Sequence, residues 1–338
     1  MVTSDAILLN DWHVVAKSED LPPATILPAR LLGENLVLWR NGDHIMAWKD
    51  VCPHRGARLS MGNISGDTLI CPYHGLAYDT KGQCTYIPAH PDLLPPARAH
   101  VQTYQAYEFY DLIWVRLGAD SQAIIKDKKD DSEVESIIPP SFPEWENPAF
   151  RKFLCGSYKY HSSGFRAIEN FLDVSHFPFV HDGLLGDRNR TATADYEVEV
   201  EKNGISLRNV RVWQPDPDGT GTGGEVTYNY RVLRPLTAYF VKQSPAGELT
   251  IFFTVTPVNE EECLGWMWIT MNYGHEIPEA ELRAFQDKVV RQDIPIVESQ
   301  QPKRLPLDLP AEFHLPCDRA SIAYRKWLKQ FGVTFGTV

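Results

Sequence analysis

Residues 51–60 read VCPHRGARLS and residues 70–79 read ICPYHGLAYD. Each stretch sets out a cysteine, a histidine close behind it and then a glycine: Cys52, His54 and Gly56, then Cys71, His74 and Gly75. Two loops that each offer one thiolate and one imidazole can hold two metals unequally, with both sulfurs on one and both nitrogens on the other. Pro53, Gly56, Pro72 and Gly75 are the turn-forming residues that such gripping loops need. A structural zinc site also takes two cysteines and two histidines. Zinc motifs, however, space each ligand pair by two or more residues, and Cys52-x-His54 is tighter than that. The duplicated pattern points to iron.

Two sulfurs on one iron and two imidazoles on the other is the ligation of a Rieske [2Fe–2S] centre, in which the neutral imidazoles raise the reduction potential. The surrounding sequence suits a small all-β module over residues 1–118. Residues 30–40 and 44–49 flank the hairpin pair Asn41-Gly42. Residues 69–78 and 84–87 flank a turn at 80–83, and the β-type run 108–117 closes the series. Residues 119–148 read as a solvated linker, with KDKKDDSEVE at 126–135 and four prolines soon after. Residues 149–338 form the second domain. It opens with a strand-like run at 151–160 and a helix, and continues through six β-type runs between 196 and 273. A helix then starts at Pro278, with Leu282, Phe285, Val289 and Ile294 as its apolar positions, and a last amphipathic helix covers 319–331 with Asp318 as its cap. The fold class is α+β, with a largely antiparallel sheet in the second domain.

A net charge of −11 over 338 residues excludes nucleic acid as a partner, because phosphate binding needs a basic surface. Residues 1–11 lack the basic start and apolar run of a signal peptide, and no apolar stretch has the length of a membrane span. A cytoplasmic, reduced protein is expected. Six cysteines are too few for a disulfide scaffold. Cys84, Cys155, Cys263 and Cys317 lack histidine partners and read as ordinary thiols.

Residues 169–181, ENFLDVSHFPFVH, carry a second cluster of polar groups. Asn170, Asp173 and His176 recur every third residue and would share one broad helical face. Pro178 disfavours helical geometry at Phe177, so the helix is expected to break after His176 and let His181 swing back toward it. By itself the stretch fits a metal held by two imidazoles and a buried helix end with hydrogen-bonded histidines about equally well.

With both motifs in place the chain resembles, nearly end to end, the oxygenase (α) component of the Rieske non-haem iron oxygenases. The likeness is to the homotrimeric type, among them O-demethylases such as dicamba and vanillate monooxygenases, and above all to the saxitoxin-pathway hydroxylases. It rests on DVSHFPF at 173–179, HDG-x-LGDRN at 181–189, SQQP-x-RLPL at 299–307 and AYR-x-WLK at 323–329. The resemblance implies a helix-grip, START-like catalytic domain holding a mononuclear Fe(II) on His176, His181 and Asp293. A two-histidine, one-carboxylate set leaves open positions for O2. Without the resemblance Asp293 reads as a surface helical aspartate with Asp287 as its rival, and Pro295 should kink the helix beside it.

The resemblance also gives Asp173 the task of bridging His176 to His74 of a neighbouring subunit, and places Asn170 near the iron. It implies a homotrimer fed by a ferredoxin or reductase with electrons from NAD(P)H. Such an enzyme hydroxylates or oxidatively demethylates a small organic substrate. An electron carrier or a binding protein with a structural cluster is the alternative, but either leaves the second domain unexplained. Leu76 departs from the family's usual tryptophan and should alter packing around the cluster. Arg55 and Arg58 could rim a docking site for an acidic donor. Tyr228, Tyr230, Phe252, Met267 and Trp268 are candidate pocket residues. The saxitoxin-type likeness suggests a guanidinium-bearing substrate, while the same framework accepts aromatic ethers and acids.

Overall fold

The computed structural model describes residues 3–118, 139–201 and 204–338, and within it the 30–40 run is two strands rather than one. Leu32 and Gly33 both take positive φ (51° and 83°), as a tight two-residue hairpin turn requires. Sequence gives no warning of this, since a leucine disfavours that conformation. Here its side chain is fully buried, and the core holds it in place.

The chain divides into two compact units, Met1–Pro139 and Pro140–Val338. The first contains a short helix α1 (Ala6–Leu9) and strands β1 (His13–Lys17), β2 (Ile26–Leu31), β3 (Glu34–Asn41), β4 (His44–Lys49), β5 (Asn63–Ser65), β6 (Thr68–Ile70), β7 (Ala77–Tyr78), β8 (Cys84–Tyr86), β9 (Thr103–Phe109) and β10 (Leu112–Arg116). They form a six-stranded antiparallel sheet in the order β1-β10-β9-β4-β3-β2 and a four-stranded sheet β5-β6-β7-β8. The 69–78 run is also interrupted: residues 71–76 leave the sheet as a loop between β6 and β7. Beneath the small sheet Trp39 and Trp48 meet edge-on, 5.1 Å between ring centroids, within a cluster that includes Cys52, Cys71, Leu76 and Tyr78.

Of the expected linker, residues 119–138 lie outside the described residues. The remainder is packed: Phe142 stacks on Phe252 (5.1 Å) and Trp145 meets Trp268 edge-on (4.9 Å). Strand β11 (Arg151–Tyr160) follows, then helices α2 (Gly164–Leu172) and α3 (Phe177–Val180) and strands β12 (Glu197–Glu201), β13 (Gly204–Gln214), β14 (Gly224–Arg234), β15 (Thr237–Ser244), β16 (Gly247–Asn259) and β17 (Glu262–Met271). All seven strands pair antiparallel in the order β11-β17-β16-β15-β14-β13-β12. Helices α4 (Glu279–Ser299) and α5 (Arg319–Gln330) complete the unit, α4 against β11 and α5 against β12 and α2. No helix among the described residues is long and apolar enough to cross a membrane.

The Ser163 side chain caps α2 by accepting from the Phe165 amide. A buried ion network ties α2 to α5: Arg325 reaches Glu169 and Glu312 at 2.6 Å each, and Arg166 reaches Glu312 at 2.7 Å. Removing one member of such a network costs about 3–5 kcal/mol, since it strands a buried charge.

Two local expectations need correcting. Helix α2 stops at Leu172, with Asp173 already extended, and Pro178 lies in the first turn of a new helix rather than ending an old one. The break comes early because Asp173 Oδ1 accepts from both the amide and the hydroxyl of Ser175, a turn that competes with the helix. Asp318 likewise precedes α5 without capping it, as its carboxylate accepts from the Leu315 amide instead. Helix α4 continues through Pro295.

Candidate metal centres

The two cysteine loops are backbone copies of one another. In each, the cysteine amide donates to a carbonyl five residues on (Cys52 to Ala57, Cys71 to Leu76), and the glycine amide donates back to the cysteine carbonyl (Gly56 to Cys52, Gly75 to Cys71). Gly56 and Gly75 both sit at positive φ (75° and 70°), which closes the turn. The loops bring the four side chains together in two pairs. His54 Nδ1 and His74 Nδ1 face each other at 3.1 Å on the exposed rim, while the thiols of Cys52 and Cys71 lie side by side and buried. Burial, and then the neighbouring Cys52, push the Cys71 thiol above its ordinary range. Two adjacent buried thiols and a facing pair of imidazole nitrogens, carried by two matching loops, are the donor set that a [2Fe–2S] cluster takes.

Tyr78 approaches Cys52 Sγ with its hydroxyl at 3.2 Å. Leu76 is buried in the core cluster with both cysteines, and Tyr73 is exposed with its ring 3.8 Å from that of His74. Arg55 and Arg58 are exposed and make no ion pair among the described residues. All six cysteines are free; Cys84, Cys155 and Cys263 are buried and Cys317 is half-buried.

The second centre is assembled from three separate places. His176 precedes α3, His181 ends it, and Asp293 comes from α4. One ligand atom from each lies within 4.8 Å of the others. His181 Nε2 is 3.0 Å from Asp293 Oδ1, and His176 Nε2 is 3.4 Å from the same oxygen but makes no hydrogen bond, although it is buried. The other ring nitrogens are taken: His176 Nδ1 meets Asp173 Oδ2 at 3.1 Å, and His181 Nδ1 meets Gln292 Oε1 at 2.9 Å. Both acceptors engage Nδ1 and so turn Nε2 inward, the orientation a metal-binding histidine requires. Burial lowers the His176 pKa, but the carboxylates of Asp173 and Asp293 outweigh it and bring it up to about 9. Burial would raise the Asp293 carboxyl, yet His176 and His181 hold it below the usual carboxylate range. Two imidazoles and a carboxylate crowded around one point, with a buried nitrogen unpartnered, fit a divalent iron.

Asn170 reaches Asp293 Oδ1 with its side-chain amide at 3.5 Å, so it touches the same group. Asp173 keeps a third of its side chain exposed while it holds His176. Asp287 is elsewhere, accepting from the Tyr158 hydroxyl at 2.6 Å.

A cavity opens beside the triad, walled largely by aromatic and aliphatic side chains such as Phe171, Phe240, Ile251 and Phe253. Of the five expected pocket residues, Tyr228, Tyr230 and Met267 line it. Phe252 and Trp268 do not; they face the other side of the sheet and cover Phe142 and Trp145. Neighbouring residues on a strand point to opposite faces, so Phe253 and Met267 have the inward positions. Gln292 and Lys242 went unread in the sequence. A lysine two positions beyond Phe240 on the same face was the available signal.

These two centres define a class: an iron–sulfur module joined to a domain with a mononuclear iron site and a substrate-sized cavity. The chain matches the Rieske [2Fe-2S] domain over residues 11–105 and the vanillate O-demethylase oxygenase C-terminal domain over residues 165–333. It is 32% identical to the methylxanthine N1-demethylase NdmA of Pseudomonas putida over 94% of this chain and 88% of that protein. It is 27% identical to the oxygenase component of dicamba O-demethylase of Stenotrophomonas maltophilia, over 93% and 94%. Among solved structures, Pseudomonas putida CBB5 NdmA with caffeine superposes with a TM-score of 0.81 at 29% identity, covering 96% of this chain and 90% of that one. The chain belongs to the Rieske non-haem iron oxygenases. It is therefore an oxidoreductase that incorporates oxygen from O2, with a Rieske cluster and a mononuclear iron as its cofactors.

Proposed function

We propose that this chain is a demethylating oxygenase component that acts on a small aromatic substrate carrying an N- or O-methyl group. The observation that carries the reading is the convergence of His176, His181 and Asp293 on the wall of an apolar cavity. The iron held there supplies O2 activation when bound. The protein's own side chains do the rest. Asp173 and Gln292 fix the imidazoles, and the aromatic walls exclude water and orient a flat ring. Hydroxylation of a methyl carbon on nitrogen or oxygen gives an adduct that falls apart to formaldehyde. One O2, two electrons and two protons then yield the demethylated product, formaldehyde and water. Methylxanthine and dicamba demethylases among the relatives support this outcome over plain hydroxylation.

The electron route uses residues of two copies in a homotrimer: His74 of one copy hydrogen-bonds Asp173 of the next. Both are reachable from solvent in the single chain, and Asp173 Oδ2 already holds His176. Arg55 and Arg58 would receive an acidic ferredoxin or reductase that draws on NAD(P)H. The enzyme would work in the cytoplasm. The test is oxygen uptake with a chemical reductant and a panel of methylated aromatics, with formaldehyde assayed. Formaldehyde equal to the O2 consumed is expected. A stable hydroxymethyl or ring-hydroxylated product would overturn the demethylase reading.

A further inference from the structure

Lys242 lines the cavity shared with the triad, on the same sheet face as Phe240, yet is only 8% exposed. Its ammonium has three N–H groups. One goes to Gln214 Oε1 at 3.1 Å and one to the Pro217 carbonyl. Gln214, fully buried, donates in turn to the Tyr228 hydroxyl at 2.9 Å, so the lysine, the amide and the phenol form one chain of contacts at the cavity wall. Nearby, the buried Tyr230 hydroxyl has no partner.

Both acceptors of Lys242 are neutral. Asp216 and Asp218 act on it through space, but their carboxylates are turned to the Gly221 amide and the Thr220 hydroxyl of their own loop. Among the described residues no carboxylate pairs with the ammonium. Burial accordingly depresses its pKa, to about 8, which leaves it mostly charged at neutral pH. An unpaired buried cation is costly unless an anion joins it.

Resting on the demethylase reading, we propose that Lys242 is the substrate-binding cation of this cavity, and that the substrate is a small methylated aromatic acid. Its anionic oxygen takes the third N–H of Lys242, with the Tyr228 hydroxyl adjacent, while its ring lies among Phe171, Phe240 and Phe253. The same charge repels a guanidinium, which sets aside the cationic substrate suggested by the saxitoxin-type likeness.

The test measures binding of three probes of one shape to the anaerobic, iron-loaded holoenzyme: 3-methoxybenzoate, 3-methoxybenzamide and 3-methoxybenzamidinium. Benzoate should bind at least about tenfold more tightly than benzamide, and the amidinium most weakly. Lys242→Met should erase the benzoate advantage while the Rieske spectrum and iron content stay as in the wild type. Equal affinity for benzoate and benzamide, a preference for the amidinium, no measurable binding of any probe, or a preference that survives Lys242→Met would each overturn the assignment. The wild-type ranking decides even if the variant fails to fold. Because binding is read without turnover, a failed assignment remains distinct from a failed demethylase reading, which shows as absent formaldehyde.

Discussion

The cluster loops and the iron triad solve the same problem in opposite ways. The loops hold their ligands by backbone geometry: two copies of one turn, each closed by a glycine, with the histidines at the exposed rim. The triad is set by side-chain contacts: three candidate ligands, two flanking α3 and one on α4, with each imidazole aimed by an acceptor on its far nitrogen. A backbone-built site tolerates change around it but not within its turn. A side-chain-built site depends on every acceptor behind it.

The largest break should come at the triad's shared carboxylate. Asp293→Ala should remove the mononuclear iron, leave the cluster spectrum intact and lower turnover by about a thousandfold or more. Iron analysis beside EPR checks it, and an unchanged iron content would place the carboxylate ligand elsewhere. Next, Asp173→Asn should keep both metals yet cut turnover by about a hundredfold or more, read by single-turnover reoxidation of the cluster. Full activity would remove the bridging role. Gln292→Leu frees the His181 ring and should weaken iron binding by about 10- to 100-fold, visible in chelator competition. No change there would mean that packing alone orients His181.

The smallest effect separates the two loops. A Cβ on Gly75 would meet Pro88 Cγ at 3.0 Å, while one on Gly56 would meet nothing within 4 Å. Both glycines have positive φ, so Gly56→Ala should cost about 1 kcal/mol and Gly75→Ala about 1–3 kcal/mol. Thermal melting of the cluster absorbance distinguishes them, and equal losses would make backbone strain the whole cost.

What could be read in advance follows the same division. Cys52, His54, Cys71 and His74 could be put forward as cluster ligands from sequence because the motif is local, set by prolines and glycines in two short loops whose pairing the structure shows. His176 and His181 were legible as a pair, but Asp293 comes from a helix far along the chain, where an aspartate on a charged helix carries no signal of its own. Asp293 entered as a candidate ligand through resemblance. The break before Asp173 was missed because the aspartate's own hydrogen bonds to Ser175 outweigh a threefold spacing that looks helical. Phe252 and Trp268 were misplaced by one position each, and on a strand a shift of one residue exchanges the two faces. Lys242 lay in plain view in an apolar strand, but only the antiparallel pairing with Tyr228 places it at the cavity.

Metal and sulfide analysis of the purified wild-type protein asks whether both centres are filled. About three irons and two acid-labile sulfides per chain, a coloured protein and an EPR signal on reduction are expected. Zinc in place of sulfide and iron, or two irons with an empty triad, would contradict that.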